Sequence, residues 1–166
     1  MEPKRRTFLA WVSGGIATCI GLMLGVPLAG YTILPALRRR KTKWSDAGPV
    51  DPLQSGIPHE MNLVISVTDG WQKKSTKKSV WAVKKEKGTI AVYSPLCTHL
   101  GCGYRWDAQR KQFHCPCHNS VFSLNGEVLS GPAPRPLDTL PVKIEKGRLF
   151  VNYKEFKAGT THKIEL

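Results

Sequence analysis

Two short stretches of the chain gather the side chains best suited to hold a redox metal. The first reads Cys97-Thr98-His99-Leu100-Gly101-Cys102 and the second Cys115-Pro116-Cys117-His118-Asn119-Ser120. Each supplies one Cys-and-His pair, as Cys-x-His and Cys-x-x-His, with fifteen residues between His99 and Cys115. Two thiolates and two imidazoles satisfy one tetrahedral Zn²⁺. They also satisfy a two-iron cluster, with the cysteines on one iron and the histidines on the other. The zinc reading leaves Cys102 and Cys117 without a task. In the cluster reading both stand near enough to the ligand pairs to bridge the two stretches, and a disulfide there would brace a site built on exposed turns. Spacing alone leaves both metals open.

The formal net charge is +13, and where that charge sits decides what it means. Lys4, Arg5 and Arg6 precede an apolar run, and Arg38, Arg39, Arg40, Lys41 and Lys43 follow it. Eight of the 25 basic residues therefore flank one segment. That is the pattern of headgroup contacts around a membrane span, so membrane lipid is an implied partner. No basic stretch interleaved with stacking aromatics follows, and nucleic acid is not an expected partner. From Phe8 to Leu37 no residue is charged. As a helix this run would reach ~45 Å, against a bilayer core of ~30 Å, so one tilted span is expected, with Pro27 and Pro35 as candidate kinks. The run is too long and uniform for a buried core helix or for the h-region of a cleaved signal peptide. Cys19, inside it, reads as a buried small hydrophobe. Arg5-Arg6-Thr7-Phe8-Leu9 resembles the twin-arginine export signal. That implies an inner-membrane protein with a cytoplasmic N-terminus and a folded, cofactor-loaded domain on the extracytoplasmic (periplasmic) side. The positive-inside rule points the other way, since more basic residues follow the span than precede it. Export of a folded domain is less governed by loop charge, and the export signal is given the greater weight.

The expected organisation is a signal and transmembrane anchor over 1–43, a flexible linker over 44–58 and a cofactor domain over 59–166. Residues 44–58 contain three prolines and two glycines, a linker composition. Beyond them the pattern takes a period of two: Met61, Leu63, Ile65 and Val67 alternate with other residues as in a half-buried strand. Val80 to Val83 and Thr89 to Tyr93 are short β-type runs. Asn125-Gly126 signals a tight hairpin between Val121–Leu124 and Val128–Leu129, and Lys146-Gly147 another between Val142/Ile144 and Leu149/Val151. No stretch after residue 60 has a helical period, so the soluble part is expected to be all-β. From Trp44 onward the net charge is only +6, from 17 basic and 11 acidic residues. Lys73, Lys74, Lys77 and Lys78 read as a solvated basic turn. His114 reads as an ordinary alternating strand position, His59 and His162 as linker and tail residues, and Trp71, Trp81 and Trp106 as core or loop packing. Leu100 is expected either to pack near the metal or to meet a partner.

Cys-Thr-His-Leu-Gly-Cys and Cys-Pro-Cys-His-x-Ser resemble the two cluster-binding boxes of Rieske proteins. Gly131-Pro132-Ala133-Pro134-Arg135-Pro136-Leu137 is similar to the proline loop that covers the other side of the cluster in that family. The three motifs occur in family order within residues 60–153. The resemblance implies a Rieske-type antiparallel β-sandwich behind an N-terminal transmembrane helix. It implies one [2Fe–2S] cluster held by Cys97, His99, Cys115 and His118, and a Cys102–Cys117 disulfide. Rieske oxygenases and their ferredoxins generally lack the extra cysteine pair, so the resemblance is to the branch found in cytochrome bc complexes and their photosynthetic counterparts. An arsenite-oxidase-like molybdenum enzyme has a similar small subunit and is the alternative.

Thiolates on one iron and neutral imidazoles on the other make the histidine-bound iron the easier one to reduce. Reduction removes positive charge and raises the proton affinity of the histidines, which couples electron uptake to proton uptake. By resemblance, the chain serves a membrane quinol–cytochrome c oxidoreductase. His118 contacts a quinol, with His99 at the same exposed tip, and the domain swings on its linker to a c-type cytochrome. A cytochrome b subunit is the implied membrane partner. Ser120 matches the family serine that hydrogen-bonds a cluster sulfide. Asn119 stands in place of the usual glycine, and Phe122 where many high-potential members have a tyrosine that donates to a ligand sulfur. The missing donor predicts a lower potential, suited to a low-potential quinol such as menaquinol. F122Y should therefore raise the midpoint potential; one hydrogen bond of about 1 kcal/mol corresponds to roughly 40 mV for a one-electron couple. A redox titration of F122Y that shows no rise removes the argument.

Overall fold

The computed structural model describes residues 4–37, 44–69, 72–86 and 88–166. The chain divides into two compact units, Met1–Lys41 and Thr42–Leu166. The uncharged run forms one helix, α1 (Arg5–Leu37), with no acidic residue in its first turn. Residues 5–34 are long and apolar enough to cross a membrane. The Thr18 hydroxyl donates to Gly14 O at 2.8 Å and that of Thr32 to Leu28 O at 3.1 Å. Both hydroxyls are thus satisfied within the helix, as an apolar surrounding requires. Cys19 is exposed rather than buried, like almost all of the helix surface. The basic run expected after the helix, Arg38 to Lys41 and Lys43, lies outside the described residues, as does Trp71.

The second unit is built from eleven described strands in three antiparallel sheets. These are β1 (Ser45–Pro49), β2 (Pro58–Asp69), β3 (Gln72–Lys84), β4 (Ile90–Tyr93), β5 (Arg105–Asp107), β6 (Gln112–Cys115), β7 (Ser120–Phe122), β8 (Val128–Ser130), β9 (Thr139–Leu140), β10 (Val142–Glu145) and β11 (Arg148–Val151). The sheets run β1-β11-β10, β2-β3-β4-β9 and β5-β6-β7-β8. The period of two read in the sequence explains how they stack. Along β3, Val80 and Ala82 point into one core while Trp81 and Val83 point into another; along β4, Val92 and Tyr93 divide in the same way. The β2-β3-β4-β9 sheet thus has both faces covered. One core, with Leu53, Leu63, Leu140, Leu149 and Val151, lies toward the small sheet. The other, with Tyr104, Phe113, Phe122 and Leu137, lies toward the sheet that carries the two Cys-His stretches.

Three expectations need correction. Residues 45–49 do not belong to a linker: β1 pairs with β11, Ser45 opposite Val151 and Pro49 opposite Arg148, and Leu53 is buried. A Pro/Gly-rich stretch takes this place because β11 offers a ready edge and a bulge between Asp46 and Gly48 absorbs the irregular composition. His59 likewise belongs to β2, where its Nε2 accepts from Gln54 N at 3.3 Å. Third, Lys73, Lys74, Lys77 and Lys78 are strand residues of β3, paired in register with Thr68, Val67, Val64 and Leu63. The β10–β11 hairpin is as expected: Lys146 and Gly147 both have positive φ, the two-residue turn that matches strand twist.

The Asp46 carboxylate accepts from Arg148 Nε at 2.7 Å and from the Gly48 N–H at 2.8 Å. The Arg148 bond, above all, holds its pKa below the ordinary 3.8. A carboxylate with a depressed folded pKa stabilises the fold above its unfolded pKa and loses that contribution as pH falls through the folded value. Acidification through this range should therefore speed hydrogen exchange in β1 before β2 and β3. D46N should show faster β1 exchange already at neutral pH and no acid-dependent step; equal protection in both proteins at all pH values overturns the assignment.

Candidate metal centre

The two Cys-His stretches are turns at the ends of strands. The first lies between β4 and β5. It is tied to the domain at Ser94, whose N–H donates to Asp138 O at 2.8 Å, and at Tyr104, whose hydroxyl donates to Ser94 O at 2.6 Å. Within it, Cys97 N donates to Cys102 O at 2.7 Å and Gly101 N to Cys97 O at 2.9 Å. Gly101 has φ +76, a conformation that suits glycine. The turn keeps Cys97 and Thr98 buried, His99 half-buried and Leu100 62% exposed. The second stretch caps the β6–β7 hairpin, with Cys115 opposite Ser120. Asn119 sits at φ +56, which explains why glycine is the usual residue there and why asparagine can replace it. Cys115 and Ser120 are buried, and Cys117 and His118 are exposed.

The structure brings these residues together in two tiers. The Cys97 and Cys115 thiols are neighbours inside the core. Burial pushes the Cys97 thiol above its ordinary pKa and the Cys115 thiol adds to this, while the His99 backbone N–H and Ser120 act in the opposite sense. Outside them, the His99 and His118 rings stand edge to face with centroids 4.8 Å apart. Among the described residues no three His, Cys, Asp or Glu side chains gather as a mononuclear site. Thiol beside thiol and imidazole beside imidazole is the division a two-iron centre uses. Ser120 Oγ is fully buried and has no well-formed hydrogen bond, its nearest polar neighbour being the Cys97 sulfur. An unsatisfied buried hydroxyl is costly, and an acceptor supplied by a bound group would satisfy it. Cys102 and Cys117 form a disulfide that joins the two turns. The residues present therefore suit a sulfide-bridged two-iron group.

Residues 57–141 match the model of the Rieske [2Fe–2S] domain family. The chain belongs to the Rieske family. Domains of this family carry a [2Fe–2S] cluster. Among its relatives, the cytochrome b6-f complex iron-sulfur subunit of Chlorobaculum thiosulfatiphilum is 34% identical over 151 residues, covering 90% of this chain and 75% of the relative. The menaquinol:cytochrome c reductase iron-sulfur subunit of Geobacillus thermodenitrificans is 29% identical over 153 residues, covering 89% of each. The crystal structure of the cyanobacterial plasma membrane Rieske protein from Synechocystis PCC 6803 is 28% identical, covers 65% of this chain and 98% of that one, and aligns with a TM-score of 0.47. The apolar helix and the two complex-subunit relatives together support a membrane-anchored Rieske protein.

A third segment, 131–138, packs on both turns of this Rieske domain. Gly131 has φ +93, and a Cβ there would lie 2.5 Å from Ser120 Cα and 2.6 Å from Asn119 O. Four residues later the Arg135 carbonyl accepts the Thr98 hydroxyl at 2.7 Å. The motif marks this segment as a cover and includes Arg135, but says nothing of Asp138; the two are both buried and form an ion pair at 2.7 Å. The signal was available: an arginine and an aspartate three residues apart in a proline-rich loop with no helix to expose them. His114 occupies the expected strand position, and its Nε2 lies 3.3 Å from Asn119 Oδ1, a contact the sequence did not suggest. Trp81 and Trp106 pack on Phe113, with centroids 5.6 and 4.9 Å away. His162 lies exposed in the tail.

Gly131→Ala should force the proline loop away from Ser120. The strained φ alone costs about 1–3 kcal/mol, so the melting temperature and the iron content per chain should both fall. Unchanged values for both would show that the close approach is dispensable.

Proposed function

We propose that this chain is the iron–sulfur subunit of a membrane quinol–cytochrome c oxidoreductase of the cytochrome bc type. It takes an electron and a proton from quinol and passes the electron to a c-type cytochrome. The observation that carries this reading is the pair of adjacent imidazoles, one exposed and one half-buried, beside a buried pair of thiols. Cys97 and Cys115 would hold one iron and His99 and His118 the other, with the buried Ser120 hydroxyl available to donate a hydrogen bond to the group. When bound, the cluster supplies a one-electron acceptor whose potential is raised by imidazole ligation.

The protein's own residues do the rest. His118 would hold the cluster through one ring nitrogen and, being exposed, would leave the other at the surface to accept the proton of a quinol hydroxyl. His99 presents the same chemistry at the same tip. The exposed Leu100 and the half-exposed Leu96 offer apolar surface beside them, suited to a hydrophobic quinol or to a cytochrome b subunit. The Cys102–Cys117 disulfide favours an exported domain, since such bonds persist in oxidising compartments. With the twin-arginine-like segment, it supports a cytoplasmic N-terminus and a periplasmic domain. The relatives named for menaquinol and for cytochrome b6-f complexes support a redox complex in which this subunit transfers electrons.

H118C in the full complex, with cluster content counted by EPR of the reduced sample, tests the assignment. Removing a positioned proton acceptor costs about 10²-fold or more, so quinol oxidation per cluster should fall by that order. Wild-type turnover per cluster in H118C would sink the role given to His118.

A further inference from the structure

Arg135 lies in the middle of the proline loop, 6% exposed, and each of its five N–H groups has an acceptor. Nε and Nη2 reach the two Asp138 oxygens at 3.1 and 2.7 Å. The second Nη2 proton goes to Lys157 O at 2.9 Å, and Nη1 donates to Thr160 O at 2.6 Å and Thr160 Oγ1 at 2.9 Å. A charge this deeply buried is tolerated only when it is fully paired. The guanidinium therefore fixes the 157–160 segment against the proline loop. That segment is further held by Lys157 N donating to Ile164 O at 2.9 Å and by a bridge between Phe156 and Glu165.

Every end of this assembly grips the turn that carries His99. The Arg135 carbonyl takes the Thr98 hydroxyl at 2.7 Å. Gly159 N, from the segment Arg135 holds, donates to Thr98 O at 2.9 Å. The Asp138 carbonyl takes Ser94 N at 2.8 Å. Gly159 lies beside His99 O, which a Cβ there would meet in ordinary van der Waals contact at 3.4 Å, and its φ of +73 is one that a side chain would strain. None of these bonds reaches residues 116–118 of the other turn.

We infer that Arg135 is a positioning residue for His99: through Thr98, Asp138 and the 157–160 segment, it sets the orientation of one imidazole and leaves the other alone. This rests on the reading of His99 as a cluster ligand. Lysine cannot replace it, having three donors and no planar fork.

The test uses the full-length protein with its cluster, labelled with ¹⁵N-histidine, reduced and measured by pulsed EPR alongside its melting temperature. R135K and R135M remove the fork, T98V removes the hydroxyl, and G159A places a methyl against His99 O at φ +73. Wild type should show two histidine-nitrogen couplings. In R135K, R135M, T98V and G159A one coupling and the midpoint potential should shift while the second coupling stays. If the arginine variants fail to fold, T98V and G159A decide. Wild-type couplings in a protein that only melts earlier reduce Arg135 to a stability element and overturn the inference. Equal shifts of both couplings mean general loosening and also overturn it. Wild type with fewer than two histidine couplings removes the ligand reading itself, and the inference with it.

Discussion

Two turns that leave different strand pairs must be held at one fixed separation, and the rest of the site depends on that constraint. The β4–β5 turn belongs half to the doubly covered sheet, whereas the β6–β7 turn belongs wholly to the sheet above it. Pairing of β5 with β6, Arg105 opposite His114, brings one end of each turn together but leaves the rest of each turn unjoined. The Cys102–Cys117 disulfide joins them there, and closing a 15-residue separation contributes about 3 kcal/mol by restricting the unfolded chain. The proline loop adds contacts at both its ends: Gly131 lies against the backbone of one turn, and Arg135 holds the hydroxyl of the other. A single short segment thus spans the same gap as the disulfide, on the buried side.

The two tiers of the centre follow from what each side chain tolerates. Thiols accept burial when neutral and resist ionisation there, as the raised pKa of Cys97 reflects. A bound cationic centre would reverse that preference, which makes the buried pair suited to a metal. Imidazoles keep one nitrogen free, so their place at the rim leaves a proton acceptor in reach of solvent or of a docked molecule. Phe113, Tyr104, Phe122 and Trp81 pack beneath the thiols as a network of edge-to-face and tilted rings. That packing supplies the low-dielectric floor on which the upper tier rests.

The chemistry was legible in the sequence to a greater extent than the fold that supports it. Cysteine and histidine spacing survives any rearrangement of loops, so a metal site was legible, while the two-iron boxes and the proline loop were recognised through their resemblance to the Rieske family. The all-β class and the Lys146-Gly147 hairpin were legible because local pattern and turn chemistry determine them. β1 was not, because Ser-Asp-Ala-Gly-Pro has no strand propensity; its pairing depends on β11, and its ion pair joins Asp46 to Arg148, 102 residues away. The lysines of β3 were legible as solvent-facing, Lys74 and Lys77 being exposed, but not as strand, because cross-strand partners in β2 set the conformation. Arg135 was legible as part of a motif, but its task depends on Lys157 and Thr160, which carry no signal of their own.

The grip of Gly159 on Thr98 has a consequence for the order in which the domain can be completed. Synthesis runs from the N-terminus, so the turn that carries His99 emerges from the ribosome about sixty residues before the backbone amide that will hold it. β1 waits longer still for its partner β11. Until then the strands between them can pair locally, but the first turn remains open on the side that Gly159 later closes. The cradle is therefore shut from behind, by chain that arrives after both Cys-His stretches have been made.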